Sequence, residues 1–109
     1  MKVAIIGSRN ITNVDIGKYI DVEITEIVSG GAIGVDSIAK EYAEQKGIPF
    51  IEFKPEYNRY HKGAPIKRNE KIADYADIVI AFWDGKSKGT KHTVNYCEKT
   101  NVKCIIIKL

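Results

Sequence analysis

Five short apolar runs punctuate the chain: VAII (3–6), ITEIV (24–28), PFIEF (49–53), DIVIAFW (77–83) and VKCIII (102–107). Between them, apolar and polar positions recur with helical spacing. Val35, Ile38, Ala39, Tyr42 and Ala43 follow an i, i+3, i+4, i+7, i+8 stripe, and Gly47 is placed to close that helix. Pro65 is a favourable first residue for a second helix over 65–76, whose stripe is Asn69, Ile72, Ala73 and Ala76. Thr90, Thr93, Val94 and Cys97 make a third stripe, whereas VDIGKYI (14–20) is a short, weakly helical crossover. Strands alternating with helices predict βαβ units, a parallel sheet and right-handed crossovers in one α/β domain spanning 1–109. No linker, repeat or low-complexity segment interrupts it.

Strand character suggests the order. Runs 3–6, 77–83 and 102–107 are nearly continuous apolar stretches, as expected of strands covered on both faces. Run 24–28 carries Thr25 and Glu26, and run 49–53 carries Pro49 and Glu52, which suits positions toward an edge. A doubly wound, five-stranded parallel sheet of order 3-2-1-4-5, with helices on both faces, satisfies these constraints. The first and fourth strands are then neighbours, and their carboxyl ends form the topological switch point where ligands sit.

Three Gly-containing loops fall at that end: GSRN (7–10), SGGAIGVD (29–36) and DGKSKGT (84–90). Closely spaced glycines let backbone N–H groups turn toward a concave site, and a helix N-terminus adds partial positive charge, a combination suited to phosphate. Tight strand-to-helix turns also need glycine, so one such loop reads either way; three converging on one switch point favour a nucleotide-like ligand. The loops do not match known fingerprints. Gly30, Gly31 and Gly34 give G-G-x-x-G after the second strand, and no G-x-x-x-x-G-K-[ST] occurs. Dinucleotide and ATP-hydrolase readings are disfavoured.

Charge sharpens the picture. The net charge is +3, and segment 54–68 alone holds Lys54, Arg59, Lys62, Lys67 and Arg68 against the single acid Glu56. An anionic partner is expected there rather than over the whole surface. Composition is that of a folded domain, 44% hydrophobic and 28% charged. No window approaches the roughly 18 apolar residues of a membrane span, the N-terminus runs straight into a strand-like segment, and a cytoplasmic location without membrane contact is expected. Cys97 and Cys104 lack CxxC or His-Cys spacing and read as buried free thiols. Neither a metal nor a cofactor is expected.

GSR (7–9), VSGGAIGVDSIAKEYA (28–43), KRNEKIADYADIVIAFWDG (67–85) and SKGTKHT (87–93) together resemble the SLOG superfamily, and within it the small YspA-like, cpYpsA-related branch. The resemblance covers nearly the whole chain. It implies a Rossmann-like fold and a nucleotide or nucleotide-derived ligand. Two cousins frame the alternatives. In the LOG phosphoribohydrolases, which release a base from a nucleoside monophosphate, an arginine precedes the fourth strand and a P-G-G-x-G-T-x-x-E loop follows it. Arg68, Gly89 and Thr90 match, but Thr93 stands where the glutamate should be. N-glycosidic cleavage passes through an oxocarbenium-like state that a carboxylate stabilises, so the resemblance leaves hydrolysis open, with Asp36 or Asp84 as substitute acids. The single-stranded-DNA-binding protein DprA shares the S-G-x-A-x-G-[IV]-D motif and the Arg68–Asn69 pair. Tyr57, Tyr60 and His61 among the cations of 54–68 fit base stacking along a strand, but a net charge of +3 is modest for a DNA binder, so nucleic acid is the less favoured partner.

The candidate ligand-binding set is Gly7, Ser8, Arg9, Ser29, Gly30, Gly31, Ala32, Gly34, Asp36, Arg68, Asn69, Asp84, Gly85, Ser87, Gly89 and Thr90, and no catalytic residue is assigned. Several have two readings. Arg68 is a phosphate ligand or a solvated arginine; Asn69, on an apolar stripe, must find a partner in the Gly loop or in the ligand. Asp36 is a helix-dipole acid or a ribose ligand. Trp83 stacks on a base or caps the sheet, and Tyr19 and Tyr42 are core or interface residues, a homo-oligomer being possible. The expected function is binding of a nucleotide-derived small molecule as a sensor or effector-binding module, with segment 54–68 as a lid.

Overall fold

β-Branched runs make the strands, and the alternation along them distributes side chains between two cores. The computed structural model describes residues 1–30 and 34–109. Strands β1 (Lys2–Gly7), β2 (Glu26–Ser29), β3 (Phe50–Glu52), β4 (Ile78–Trp83) and β5 (Lys103–Lys108) form one parallel sheet ordered β3-β2-β1-β4-β5. Four α-helices accompany them: α1 (Val35–Lys46), α2 (Tyr57–Tyr60), α3 (Ala64–Tyr75) and α4 (Lys88–Thr100). The protein is a Rossmann-like α/β domain.

Val3, Ile5, Ile27, Ile78, Ile80 and Phe82 point to one face, where Val35, Ala39 and Ala43 of α1 close the core. Ala4, Ile6, Val28, Val79 and Ala81 point to the other, against Ile72 and Ala73 of α3 and Cys97 of α4. The expected stripes are thus the buried ones. Gly47, at φ 66°, ends α1 by donating its amide to the carbonyls of Ala43 and Glu44. Pro65 lies in the first turn of α3, and Asn101, at φ 60°, closes α4.

The structure departs from expectation in four places. β5 takes the edge position that the expected order gives it, but it is not covered on both faces, with Ile105 37% and Ile106 47% exposed; its ends carry Lys103 and Lys108, charges that discourage edge pairing. The crossover at 14–20 is no more than a 3-10 turn, Ile16–Lys18. Two i→i+3 bonds form it, from the Lys18 amide to the Asp15 carbonyl at 3.2 Å and from the Tyr19 amide to the Ile16 carbonyl at 3.0 Å, and burial of Ile11 and Ile16 anchors the segment. Cys104 is partly exposed, although Cys97 is buried and both are free. The second strand starts at Glu26, because Thr25 instead donates its amide to the Met1 carbonyl. Tyr19 and Tyr42 both pack against the α1-side core, Tyr19 edge-on to Phe82 at 5.6 Å between ring centroids.

Candidate functional site

β1 and β4 pair in register from Val3–Ile78 to Gly7–Phe82, so their carboxyl ends open side by side. A cleft of about 460 Å³ lies there. Ser8 and Arg9 form its floor as β1 ends, and Gly30 enters from the end of β2. Asp36 lines it from the first turn of α1, Arg68 and Asn69 from the first half of α3, and Asp84, Ser87, Gly89 and Thr90 from the β4–α4 connection. Eleven expected positions, Gly7 included, therefore meet in one cleft.

The Arg68 guanidinium is the most constrained charge in it. Its Nη1 donates to the Gly30 carbonyl at 2.8 Å, and its Nε donates to Asn69 Oδ1 at 2.7 Å. Asn69 thereby finds its partner in the neighbouring arginine and holds it in place. Burial pulls the Arg68 pKa below its ordinary value, an effect opposed by the field of Asp36 and reinforced by nearby Arg9. No ion pair reaches Arg68 among the described residues. A half-buried cation without a bonded counter-ion, with guanidinium N–H groups left over after two hydrogen bonds, suits a bidentate anion.

The carboxylates are more occupied. Asp36 is 8% exposed and accepts a 2.6 Å hydrogen bond from Ser29 Oγ, which also lies 2.9 Å from the Ile5 carbonyl. Ser29 thus acts from behind the cleft, orienting Asp36. Asp84 Oδ1 accepts the amides of Lys86 and Ser87, each at 2.8 Å, and these bonds hold its pKa below the usual value. Its own amide donates to Ser8 Oγ at 3.2 Å, stitching the β4 loop to the β1 loop. Asp84 shapes the turn leading to α4, whose N-cap Ser87 accepts the Thr90 amide at 3.4 Å.

The glycines separate into distinct roles. A β-carbon on Gly7 would lie 2.6 Å from Val35 Cγ2 and 2.7 Å from the Phe82 carbonyl, so Gly7 lets α1 and β4 approach β1. Gly34, at φ 82°, caps α1 with its backbone against the Arg9 carbonyl. A β-carbon on Gly30 would meet the Arg68 guanidinium first, at 2.6–2.9 Å. Ser29, Gly34 and Gly85 do not line the cleft; Gly85 is a turn residue at φ 82° beside Lys108. Gly31 and Ala32 lie outside the described residues. Trp83 is also outside the lining, because its Nε1 donates to the Ser87 carbonyl at 3.1 Å.

Four lining residues were absent from the expected set: Ile6, Asn10, Pro65 and Thr93. Asn10 closes the GSRN loop and hydrogen-bonds Asp84, and Pro65 supplies an apolar wall. Thr93 is fully buried, its Oγ1 donating to the Gly89 carbonyl at 3.0 Å. It sits three residues beyond Thr90 on the same helix face, a spacing that the sequence displays.

A doubly wound parallel sheet with a cleft at its switch point defines a Rossmann-like protein. Residues 1–60 match the YspA, cpYpsA-related SLOG family, and the chain belongs to that family. It is 33% identical over 85 residues to the Gene 61 protein of Mycobacterium phage D29, covering 72% of this chain and 68% of the phage protein. It is also 41% identical over 34 residues to the uncharacterized SPbeta prophage-derived protein YoqJ of Bacillus subtilis (strain 168), covering 31% of this chain and 20% of that one. No solved structure matches the chain.

Proposed function

We propose that the cleft binds a nucleotide or nucleotide-derived small molecule, and that the domain acts as a sensor or effector-binding module. The observation that carries this reading is Arg68, half-buried, locked by Gly30 and Asn69, and without an ion pair among the described residues. In the proposed pose the anionic group meets Arg68 and the first turn of α4, whose initial amides have no helical acceptor. Ser8 and Thr90 offer hydroxyls to the same group, and Asp36 is the acceptor suited to a ribose hydroxyl. Binding without turnover is favoured because the buried α4 position lining the cleft is Thr93 rather than a carboxylate, and because Asp84 is committed to its own loop.

Mass spectrometry of small molecules released from the denatured, purified protein should find a nucleotide-derived anion, and calorimetry with that compound should show direct binding. Arg68→Ala should weaken it by about 10- to 100-fold, the loss of one charge-assisted contact. A short single-stranded oligonucleotide binding far more tightly than any mononucleotide, with a steep salt dependence, would overturn the reading.

A further inference from the structure

Segment 54–60 leaves the sheet at the same end as the cleft. Phe53 donates its amide to the Ser29 carbonyl at 2.9 Å, keeping this chain beside β2 up to the position next to Gly30. α2 follows and is tied to α3, the helix that carries Arg68, by a Lys71–Glu56 ion pair of 3.2 Å. Its two tyrosines differ. The Tyr60 ring is already covered by cations, Arg59 at 5.2 Å and Lys71 at 5.5 Å. Tyr57 has no ring or cation partner among the described residues, and it is 57% exposed, the highest of the large hydrophobic residues. It belongs to a second cavity, about 440 Å³, lined by Pro55, Glu56, Tyr57, Asn58 and Arg59. Tyr57 is also near enough to Arg68 to act on its guanidinium electrostatically.

An open aromatic face beside an anion-seeking arginine is an arrangement for a ligand with a flat ring at one end and negative charge at the other. We propose that the Pro55–Arg59 cavity is the base subsite of the cleft, with Tyr57 as its stacking platform for the base. This rests on the nucleotide reading above and adds to it. The Tyr57 ring supplies the stacking face, Pro55 a second apolar surface, and the Asn58 amide a donor and an acceptor within the same cavity. Stacking accepts any base with a π face, so Tyr57 distinguishes nucleotides from sugar phosphates more than it distinguishes one base from another.

The test compares adenosine 5′-monophosphate with ribose 5-phosphate on the wild type, Tyr57→Ala and Tyr57→Phe by calorimetry. Thermal midpoints should be unchanged, because the side chain is exposed. The wild type should prefer the nucleotide. Tyr57→Ala should weaken the nucleotide by about 5- to 150-fold, the range for loss of one stacking face, and leave ribose 5-phosphate within twofold, while Tyr57→Phe keeps wild-type affinity for both. Equal nucleotide affinity in the wild type and Tyr57→Ala would overturn the base subsite while leaving the nucleotide reading intact. So would a parallel loss for both compounds, which would place Tyr57 at the anionic end. A wild type that binds neither compound would remove the nucleotide reading itself.

Discussion

Gly7 and Gly30 were grouped by sequence as parts of one ligand loop system, yet the structure predicts that alanine at each has a different consequence. At Gly7 the new methyl would lie 2.6–2.8 Å from the Val35 side chain and 2.7 Å from the Phe82 carbonyl oxygen. Neither neighbour has room to give. Val35 is fully buried in the first turn of α1, and the Phe82 carbonyl accepts the Ser8 amide at 3.1 Å at the centre of the sheet. Relief requires α1 to lift from β1, an overpacking cost of about 3 kcal/mol, which for a domain of this size lowers the melting midpoint by about 10–20 °C. At Gly30 the methyl meets first the end of the Arg68 side chain, which can swing into solvent. The loss is the hydrogen bond to the Gly30 carbonyl, partly offset by rehydration of the guanidinium, about 1 kcal/mol in all. Gly30→Ala should therefore fold nearly normally and bind its anion as poorly as Arg68→Ala does. Equilibrium denaturation by urea, paired with calorimetry, reads both quantities. Equal destabilisation by the two alanines, or a Gly30→Ala protein with wild-type affinity, would refute the reasoning.

Glu70 and His92 join α3 to α4 by a 2.9 Å contact, and that hydrogen bond is the largest cause holding the Glu70 pKa below 4.5. A depressed acid stabilises the fold above its unfolded pKa and loses that contribution as pH falls through its folded value, so Glu70→Gln should lessen the fall of the urea midpoint as pH drops below the ordinary carboxylate range; an unchanged pH profile would contradict it. The wild type should release no measurable free base from adenosine 5′-monophosphate. Thr93→Glu, which returns a carboxylate to the cleft, should introduce chromatographically detectable release that Arg68→Ala abolishes, since such charge-stabilising groups are worth about 10²–10³ in rate. Rapid release by the wild type would show that Asp36 or another acid already performs the chemistry.

Much of the sheet was legible because its signals are local. The buried runs of β1 and β4, the Gly47 stop and the stripes of α1, α3 and α4 each need only neighbouring residues to be read. β5 misled because an apolar run reports affinity for burial, not whether a covering layer exists, and Ile105 and Ile106 stay partly exposed at the edge. Trp83 stays open between base stacking and sheet capping in the sequence, because its ring is aromatic wherever it points; the 3.1 Å bond to the Ser87 carbonyl, four residues on, goes with its place outside the cleft lining. The seat of Arg68 on Gly30, 38 residues away in sequence, is a product of topology, and no spacing rule announces it. The close approach of Val35 to Gly7 is equally non-local.

The division among the glycines explains why three Gly-rich loops can serve one cleft without repeating a known phosphate-binding fingerprint. Gly7 and Gly34 are consumed by backbone approach, one letting α1 against β1, the other letting the start of α1 rest on the Arg9 carbonyl. Gly30 is needed because a side chain there would displace the arginine that the loop carbonyl holds. Among the described residues, positive charge reaches the cleft through the seated Arg68 guanidinium, through Arg9 and through the α4 N-terminus. Under the proposed function, such a site would tolerate ligands that differ beyond the anionic group, since the charge would fix one end of the molecule only. Discrimination must then come from elements outside the sheet end, and the segment best placed for that is the tyrosine-bearing connection between β3 and α3.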